Sequence, residues 1–128
     1  MDELGAAVDD VWNRRPDNVV ADNQIPDNNT PRIRNYLSQL TEDQRKQRYV
    51  INDLFLTEAA IRRIALQPFL VSCVGVLMGT VPILAQSLNF RWGSNQGLHV
   101  DTLYLPPPTE GHIVAIWIAM EDILPESG

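Results

Sequence analysis

One feature constrains the fold of this chain more than any other: a run of 27 residues without a charged side chain, from Ile64 to Phe90. A run of that length could cross a bilayer, which needs about 20 apolar residues. Prolines, glycines and polar amides interrupt it, namely Pro68, Gly75, Gly79, Pro82, Gln67, Gln86 and Asn89. We therefore expect several short apolar elements and no membrane span. A small membrane-associated helical protein stays open as an alternative.

Length and charge narrow the class of protein. The chain has 128 residues, enough for one domain with its own core, and a formal net charge of −6. This acidic balance disfavours nucleic acid as a partner, because phosphate backbones are bound by clustered Lys and Arg. Cys73 cannot form an internal disulfide, and its apolar neighbours predict a small buried side chain. With no secretory signal at the start, we expect a cytoplasmic, reducing location.

Helix signals are concentrated in residues 1–80. A short helix is expected from Asp2 to Trp12. Thr41 and Gln44 have the spacing of a capping box, which predicts a helix that runs through Arg48. The stretch from Pro16 to Pro31 is rich in Asp, Asn and Pro, which indicates a surface loop.

Two further helices are predicted before and within the uncharged run. Thr57 could cap a helix from Glu58 to Leu66, which Pro68 would end. Pro68 suits the first turn of the next helix, Phe69 to Met78, and Gly79 suits its C-terminal cap.

Residues 81–128 have the character of strands. Extended segments are expected at Ile83–Trp92 and Leu98–Leu105, separated by a Gly-rich and Asn-rich turn. The run Ile113–Met120 is continuously apolar and rich in β-branched residues, which predicts a buried strand. The order is helices first and strands second, so we expect a mainly β fold with N-terminal helices.

The candidate chemistry lies at His99 and Asp101. Residues two apart on a strand project from the same face, so an imidazole and a carboxylate at this spacing can bind one cation. Two His and one carboxylate on one face of an octahedron are the ligand set of non-haem Fe(II) oxygenases. By itself a His-x-Asp pair is a weak signal, because a surface His and Asp beside a turn have the same spacing.

The surrounding sequence strengthens this interpretation. The stretch from Gln96 to Tyr104, followed by Val114–Asp122 and Pro125–Gly128, resembles the phytanoyl-CoA dioxygenase family. The resemblance covers roughly residues 81–128. It implies helices leading into a double-stranded β-helix, a jelly roll of the cupin type, within a single domain spanning 1–128.

By that resemblance His99 and Asp101 correspond to two Fe(II) ligands and Trp117 to a strand residue that lines the 2-oxoglutarate pocket. Gln96 and Tyr104 lie beside the ligand motif and are further candidates for cofactor binding. The family activity is hydroxylation of a small-molecule substrate, with Fe(II) as cofactor and 2-oxoglutarate as cosubstrate. The class of substrate stays open between small metabolites and acyl compounds.

The family pattern also includes a second histidine and an arginine downstream of the acidic strand, and the sequence up to Gly128 contains neither. His112 and Arg91 do not occupy those positions. We therefore expect this chain to be an N-terminal part of the oxygenase domain, in which residues 81–128 supply the first strands. A non-catalytic relative that acts as a binding module is the alternative.

Overall fold

The structure is a computed structural model, which describes residues 2–23, 33–91, 93, 99–103, 105–109 and 111–127. The helices are α1 (Asp2–Arg14), α2 (Glu42–Arg45), α3 (Ala59–Ala65) and α4 (Pro68–Met78). The strands are β1 (Val20–Asn23), β2 (Ile33–Tyr36), β3 (Tyr49–Asn52) and β4 (Leu88–Phe90). Short 3₁₀ turns lie at Leu37–Gln39, Leu54–Leu56, Asp101–Leu103 and Pro125–Ser127.

The four strands form one antiparallel sheet in the order β2-β1-β3-β4. Ala21 of β1 lies opposite Asn35 on one side and Ile51 on the other, and Ile51 lies opposite Asn89 of β4. The described part of the chain is therefore a mixed α and β structure. The expectation of a mainly β fold is not supported, because the described strands have only three or four residues each and α1 and α4 alone contain more residues than the whole sheet. Three of the four strands also lie in the half that was predicted to be helical.

The core lies between α1, α3 and one face of the sheet. Its fully buried side chains include Val11 of α1, Ile51 of β3 and Leu54. The Trp12 ring stacks on Tyr49 with 3.7 Å between ring centroids and 7° between planes, and the Arg45 guanidinium lies 4.6 Å from the centroid of the Trp12 ring. Stacked rings and a cation over an aromatic face both stabilise, so this column joins α1 and α2 to the sheet.

The capping box at Thr41 is confirmed. The Thr41 hydroxyl accepts a hydrogen bond from the Gln44 amide, and the Gln44 side chain accepts one from the Thr41 amide. The helix is shorter than predicted, because it ends at Arg45 and β3 starts at Tyr49. β1 was also missed, since Val20–Asn23 lies inside the predicted loop.

The ends of α4 are confirmed. Pro68 occupies its first turn, and Gly79 ends it with a φ of 66°, a left-handed conformation that favours glycine. The predicted cap of α3 was wrong. Glu58, not Thr57, occupies the capping position, because Thr57 closes the preceding 3₁₀ turn with its amide bonded to the Leu54 carbonyl.

The strands predicted in residues 81–128 are largely absent from the described part of that region. Of the described residues 83–91, Leu88–Phe90 pairs with the sheet, and Asp101–Leu103 is a 3₁₀ turn within the predicted second strand, part of which lies outside the described residues. Ile113–Met120 is neither helix nor strand, and most of its side chains are exposed. No described residue after Ile61 is buried, although Met120 packs partly against the core. A β-branched run needs a neighbouring strand, and the described residues place none beside it.

The prediction that Cys73 is buried was wrong, because it lies exposed on α4. This follows from the surface of α4 as a whole, on which no side chain is buried. Within the described ranges, no single helix has both the length and the apolar character needed to cross a membrane. α3 and α4 together meet that length and composition criterion, with a bend of 47° between them.

Candidate functional site

The structure brings His99 and Asp101 together. His99 Nε2 lies 3.1 Å from Asp101 Oδ1, within the reach of a hydrogen bond from an imidazole N–H to a carboxylate. The His99 side chain is 33% exposed and that of Asp101 51% exposed, so solvent reaches both groups. The two predicted ligands therefore form an accessible pair on the surface of the described chain.

A turn, and not a strand, positions this pair. Asp101 starts the 3₁₀ turn Asp101–Leu103, and its carbonyl accepts a hydrogen bond from the Leu105 amide at 2.9 Å. The predicted proximity of the two side chains is thus correct, while the predicted reason, alternation along a strand, is not.

The spacing of the pair suits a metal ion. Two donor atoms that each lie about 2.1 Å from one cation and occupy neighbouring corners of an octahedron are about 3 Å apart. The 3.1 Å between His99 Nε2 and Asp101 Oδ1 matches that separation. However, the described residues contain no group of three His, Cys, Asp or Glu side chains that could hold a metal. These residues therefore fit two ligand positions, and the third is not among them.

The predicted 2-oxoglutarate residues are placed only in part. Trp117 lies on the irregular segment Ile113–Met120, and its side chain is 72% exposed, so it does not line an enclosed pocket within the described structure. Gln96 and Tyr104 lie outside the described residues. The role of all three in cosubstrate binding stays a prediction.

His112 and Arg91 have other surroundings. The His112 amide bonds to the Thr109 carbonyl at 3.1 Å in the turn that follows the proline run, and its side chain forms no three-residue group with the predicted ligands among the described residues. Arg91 pairs with Asp9 at 2.9 Å. That carboxylate raises the pKa of the Arg91 guanidinium, which is therefore tied to α1.

A polar cluster on the sheet was not predicted from the sequence. The Asp22 carboxylate accepts two hydrogen bonds from Arg34, at 2.7 and 2.8 Å, and one from the Asn52 amide at 3.2 Å. Asp22 is only 9% exposed, whereas the Arg34 side chain is 68% exposed. Because both carboxylate oxygens are engaged, the cluster joins β1, β2 and β3 and leaves no carboxylate oxygen unengaged to act as a base. Asp22 lies in a stretch rich in Asp and Asn that was predicted to be a loop, so nothing in the sequence distinguished it from its neighbours.

Comparison with known proteins adds no relative. No protein-family model matches the chain, and neither curated proteins nor solved structures give a significant match.

Proposed function

We propose that this chain is the N-terminal part of a non-haem Fe(II)- and 2-oxoglutarate-dependent dioxygenase of the phytanoyl-CoA dioxygenase type. Its substrate would be a small metabolite or an acyl compound. The observation that carries the proposal is the accessible pair of His99 and Asp101, whose donor atoms are 3.1 Å apart. Bound iron of this class, with 2-oxoglutarate and O₂, supplies hydroxylation of unactivated C–H bonds.

The proposed roles follow from the chemistry of the side chains. The neutral imidazole of His99 and the carboxylate of Asp101 would hold two neighbouring positions on the metal. Residues outside 1–128 would supply a third ligand and a cation for the far carboxylate of 2-oxoglutarate, completing a double-stranded β-helix. Trp117, Gln96 and Tyr104 would contact the cosubstrate. A reducing, cytoplasmic location suits this chemistry and the exposed thiol of Cys73.

A metal titration tests the proposal. Fe(II), added under anaerobic conditions, is expected to raise the melting temperature of the chain, because a ligand that binds only the folded state stabilises it. His99→Ala is expected to abolish that rise, since it removes one of two donors. His112→Ala is the matched control, because it removes an exposed imidazole outside the pair and should leave the rise unchanged.

Two results would contradict the ligand assignment: an equal loss of the Fe(II) response in both variants, or turnover of 2-oxoglutarate by the native gene product that His99→Ala leaves unchanged. A chain that shows no response to Fe(II) at all would favour the alternative, a non-catalytic relative that acts as a binding module. One observation favours that alternative: the third ligand that the metal needs is not among the described residues.

A further inference from the structure

The chain leaves its core after α3 and returns to it at β4. Ile61 of α3 is buried in the core, while the amide and carbonyl of Ser87, just before β4, are hydrogen-bonded to Asp53. Residues 67–86, called the apolar arm below, connect these two points. The structure describes every residue of the arm, and none of their side chains is buried or packs against the core cluster. The core therefore holds the arm at both ends without covering it.

The helix α4 forms the first half of the arm and exposes an apolar face. Phe69, Cys73, Val76 and Leu77 lie on this face, because positions three or four residues apart share one side of a helix. The exposed fraction of its large side chains ranges from 71% at Phe69 to 83% at Val76. An exposed apolar surface that extends over two turns of a helix marks a contact site for a protein partner or a membrane.

The composition of α4 distinguishes between these two kinds of partner. Ser72 is its only polar side chain, and no residue from 64 to 90 carries a charge. A helix that binds in the groove of a protein keeps a polar face toward water, whereas a helix that is apolar on all sides is buried in a core or in lipid. α4 has no buried side chain, so it is not a core helix. Its peptide groups bond to one another along the helix, so lipid can cover it without leaving them unpaired.

The charged residues at the two ends of the uncharged run are all arginines. Arg62 and Arg63 lie in the last turn of α3, and Arg91 follows β4. Arg63 and Arg91 pair with carboxylates of α1, whereas Arg62 donates to the Phe55 and Leu56 carbonyls at 2.7 and 3.2 Å. No carboxylate in the described part of the chain therefore neutralises Arg62. Arginines beside an apolar helix reach the phosphate groups of a membrane surface, so the charge here complements phospholipid headgroups.

We propose that α4 is a membrane-binding element, whose exposed face lies among the acyl chains at the surface of a phospholipid bilayer while Arg62 binds a lipid phosphate. A helix of 11 residues is about 16 Å long, roughly half the thickness of the hydrocarbon core of a bilayer, so this contact involves one leaflet. The proposal does not depend on the proposed function. A second copy of the chain is a poorer partner, since it would bring a further net charge of −6 and would leave part of an apolar helix in water.

Flotation of the 128-residue chain with phosphatidylcholine vesicles tests the proposal. Cys73, the one cysteine in the sequence, is exposed on α4 and can carry an environment-sensitive fluorophore without any substitution. We expect the labelled chain to float with the vesicles and its emission to shift to shorter wavelength, because the fluorophore leaves water. Ser38, exposed in the 3₁₀ turn after β2, provides the reference position. The same fluorophore on the double variant Cys73→Ser and Ser38→Cys should keep its emission in water when the vesicles are added.

A pair of variants separates binding through α4 from general adhesion of apolar surface. Leu77→Asp is expected to lower the partition into vesicles on the order of 10- to 100-fold, because a carboxylate is costly to place among acyl chains. Leu56→Asp is the matched control, because it makes the same change at a similarly exposed side chain outside the arm. It should leave the partition within about twofold of the unsubstituted chain. Both side chains are exposed, so circular dichroism spectra of the two variants should match that of the unsubstituted chain.

Four outcomes would overturn the proposal. The first is a chain that does not float with the vesicles, and the second is an equal loss of partition in both Asp variants. Flotation without a shift in the emission of the fluorophore on Cys73 would assign binding to another surface. A chain with twice the mass of 14.4 kDa in the absence of vesicles, which Leu77→Asp converts to the single mass, would make a second copy the partner. Because no metal is used, failure of Fe(II) binding and failure of membrane binding are separate results.

Discussion

Large apolar side chains form a buried core in one part of this molecule and are mostly exposed in the other. In residues 2–66, here the N-terminal unit, Val11, Ile51 and Leu54 are fully buried. In residues 67–127, here the C-terminal region, Val81 is 85% exposed and Ile83 is 86% exposed. The C-terminal region also contains no charged residue between positions 67 and 90. Hydrophobicity alone therefore does not bury a residue, since burial also requires a partner element of matching shape.

The two parts remain physically connected at a few points. β4 pairs with β3, and the Asp53 amide donates to the Ser87 carbonyl at 2.7 Å while the Ser87 amide donates to the Asp53 carboxylate at 3.0 Å. Arg91 reaches back to Asp9 of α1. These contacts hold residues 87–91 of the C-terminal region on the N-terminal unit, but they cover little of the region's apolar surface.

The largest expected effect comes from Ile51→Ala. Removing this fully buried side chain from β3 should lower the free energy of unfolding by about 2–5 kcal/mol, because it leaves a cavity in the core. Ile83→Ala makes the same chemical change at an exposed site and should alter stability by less than about 0.5 kcal/mol. Urea unfolding of the 128-residue chain measures both.

Should Ile51→Ala prevent folding, Ile51→Val provides the same test at about 1 kcal/mol. Equal losses of unfolding free energy from the substitutions at Ile51 and Ile83 would contradict the difference in packing, since they would mean that both parts are packed alike.

A smaller effect is expected from Thr41→Ala. It removes the hydroxyl that accepts from the Gln44 amide at the start of α2 and should cost about 1 kcal/mol of unfolding free energy. Thr57→Ala is the matched control, because the exposed Thr57 hydroxyl accepts no hydrogen bond at the start of α3 and donates only a long one, 3.5 Å, to the Leu54 carbonyl, so the substitution should change stability by less than about 0.5 kcal/mol. Thermal unfolding followed by circular dichroism distinguishes them, and a larger loss at Thr57 would argue against the observed caps.

The smallest expected effect depends on pH. Burial raises the pKa of Tyr49 above its usual value near 10, although the nearby Arg91 opposes the shift. When a group has a higher pKa in the folded state than in the unfolded state, its full contribution to stability is present below the unfolded-state pKa. That contribution is lost as the pH rises through the folded-state pKa. The urea concentration at the unfolding midpoint should therefore decrease as the pH rises above 10. In the Tyr49→Phe variant this midpoint should decrease less steeply. Parallel profiles of the two proteins would contradict burial of the phenol.

Features that depend on residues within one turn of each other could be predicted from the sequence. The capping box at Thr41 and the proline and glycine that bound α4 each act within one turn of the chain, so a short pattern was sufficient. The pair of His99 and Asp101 was also found, because residues two apart stay close in a turn as well as in a strand.

Features that depend on distant residues could not be predicted. β1 lies in a polar stretch, and Asp22 is buried only because Arg34 and Asn52 engage its carboxylate. The prediction of a strand at Ile113–Met120 was wrong because a partner for it could not be known from the sequence. Its β-branched composition is favourable, but a strand also needs a neighbour, and sequence composition does not show whether one is present.

Amide hydrogen exchange along the 128-residue chain tests the contrast between the two parts most directly. Peptides from residues 49–54 and from residues 113–120 would be compared in one sample. We expect strong protection in the first, where β3 is hydrogen-bonded on both sides and buried, and exchange at the rate of an unstructured chain in the second. Equal protection of the two peptides, or stronger protection of residues 113–120, would contradict it.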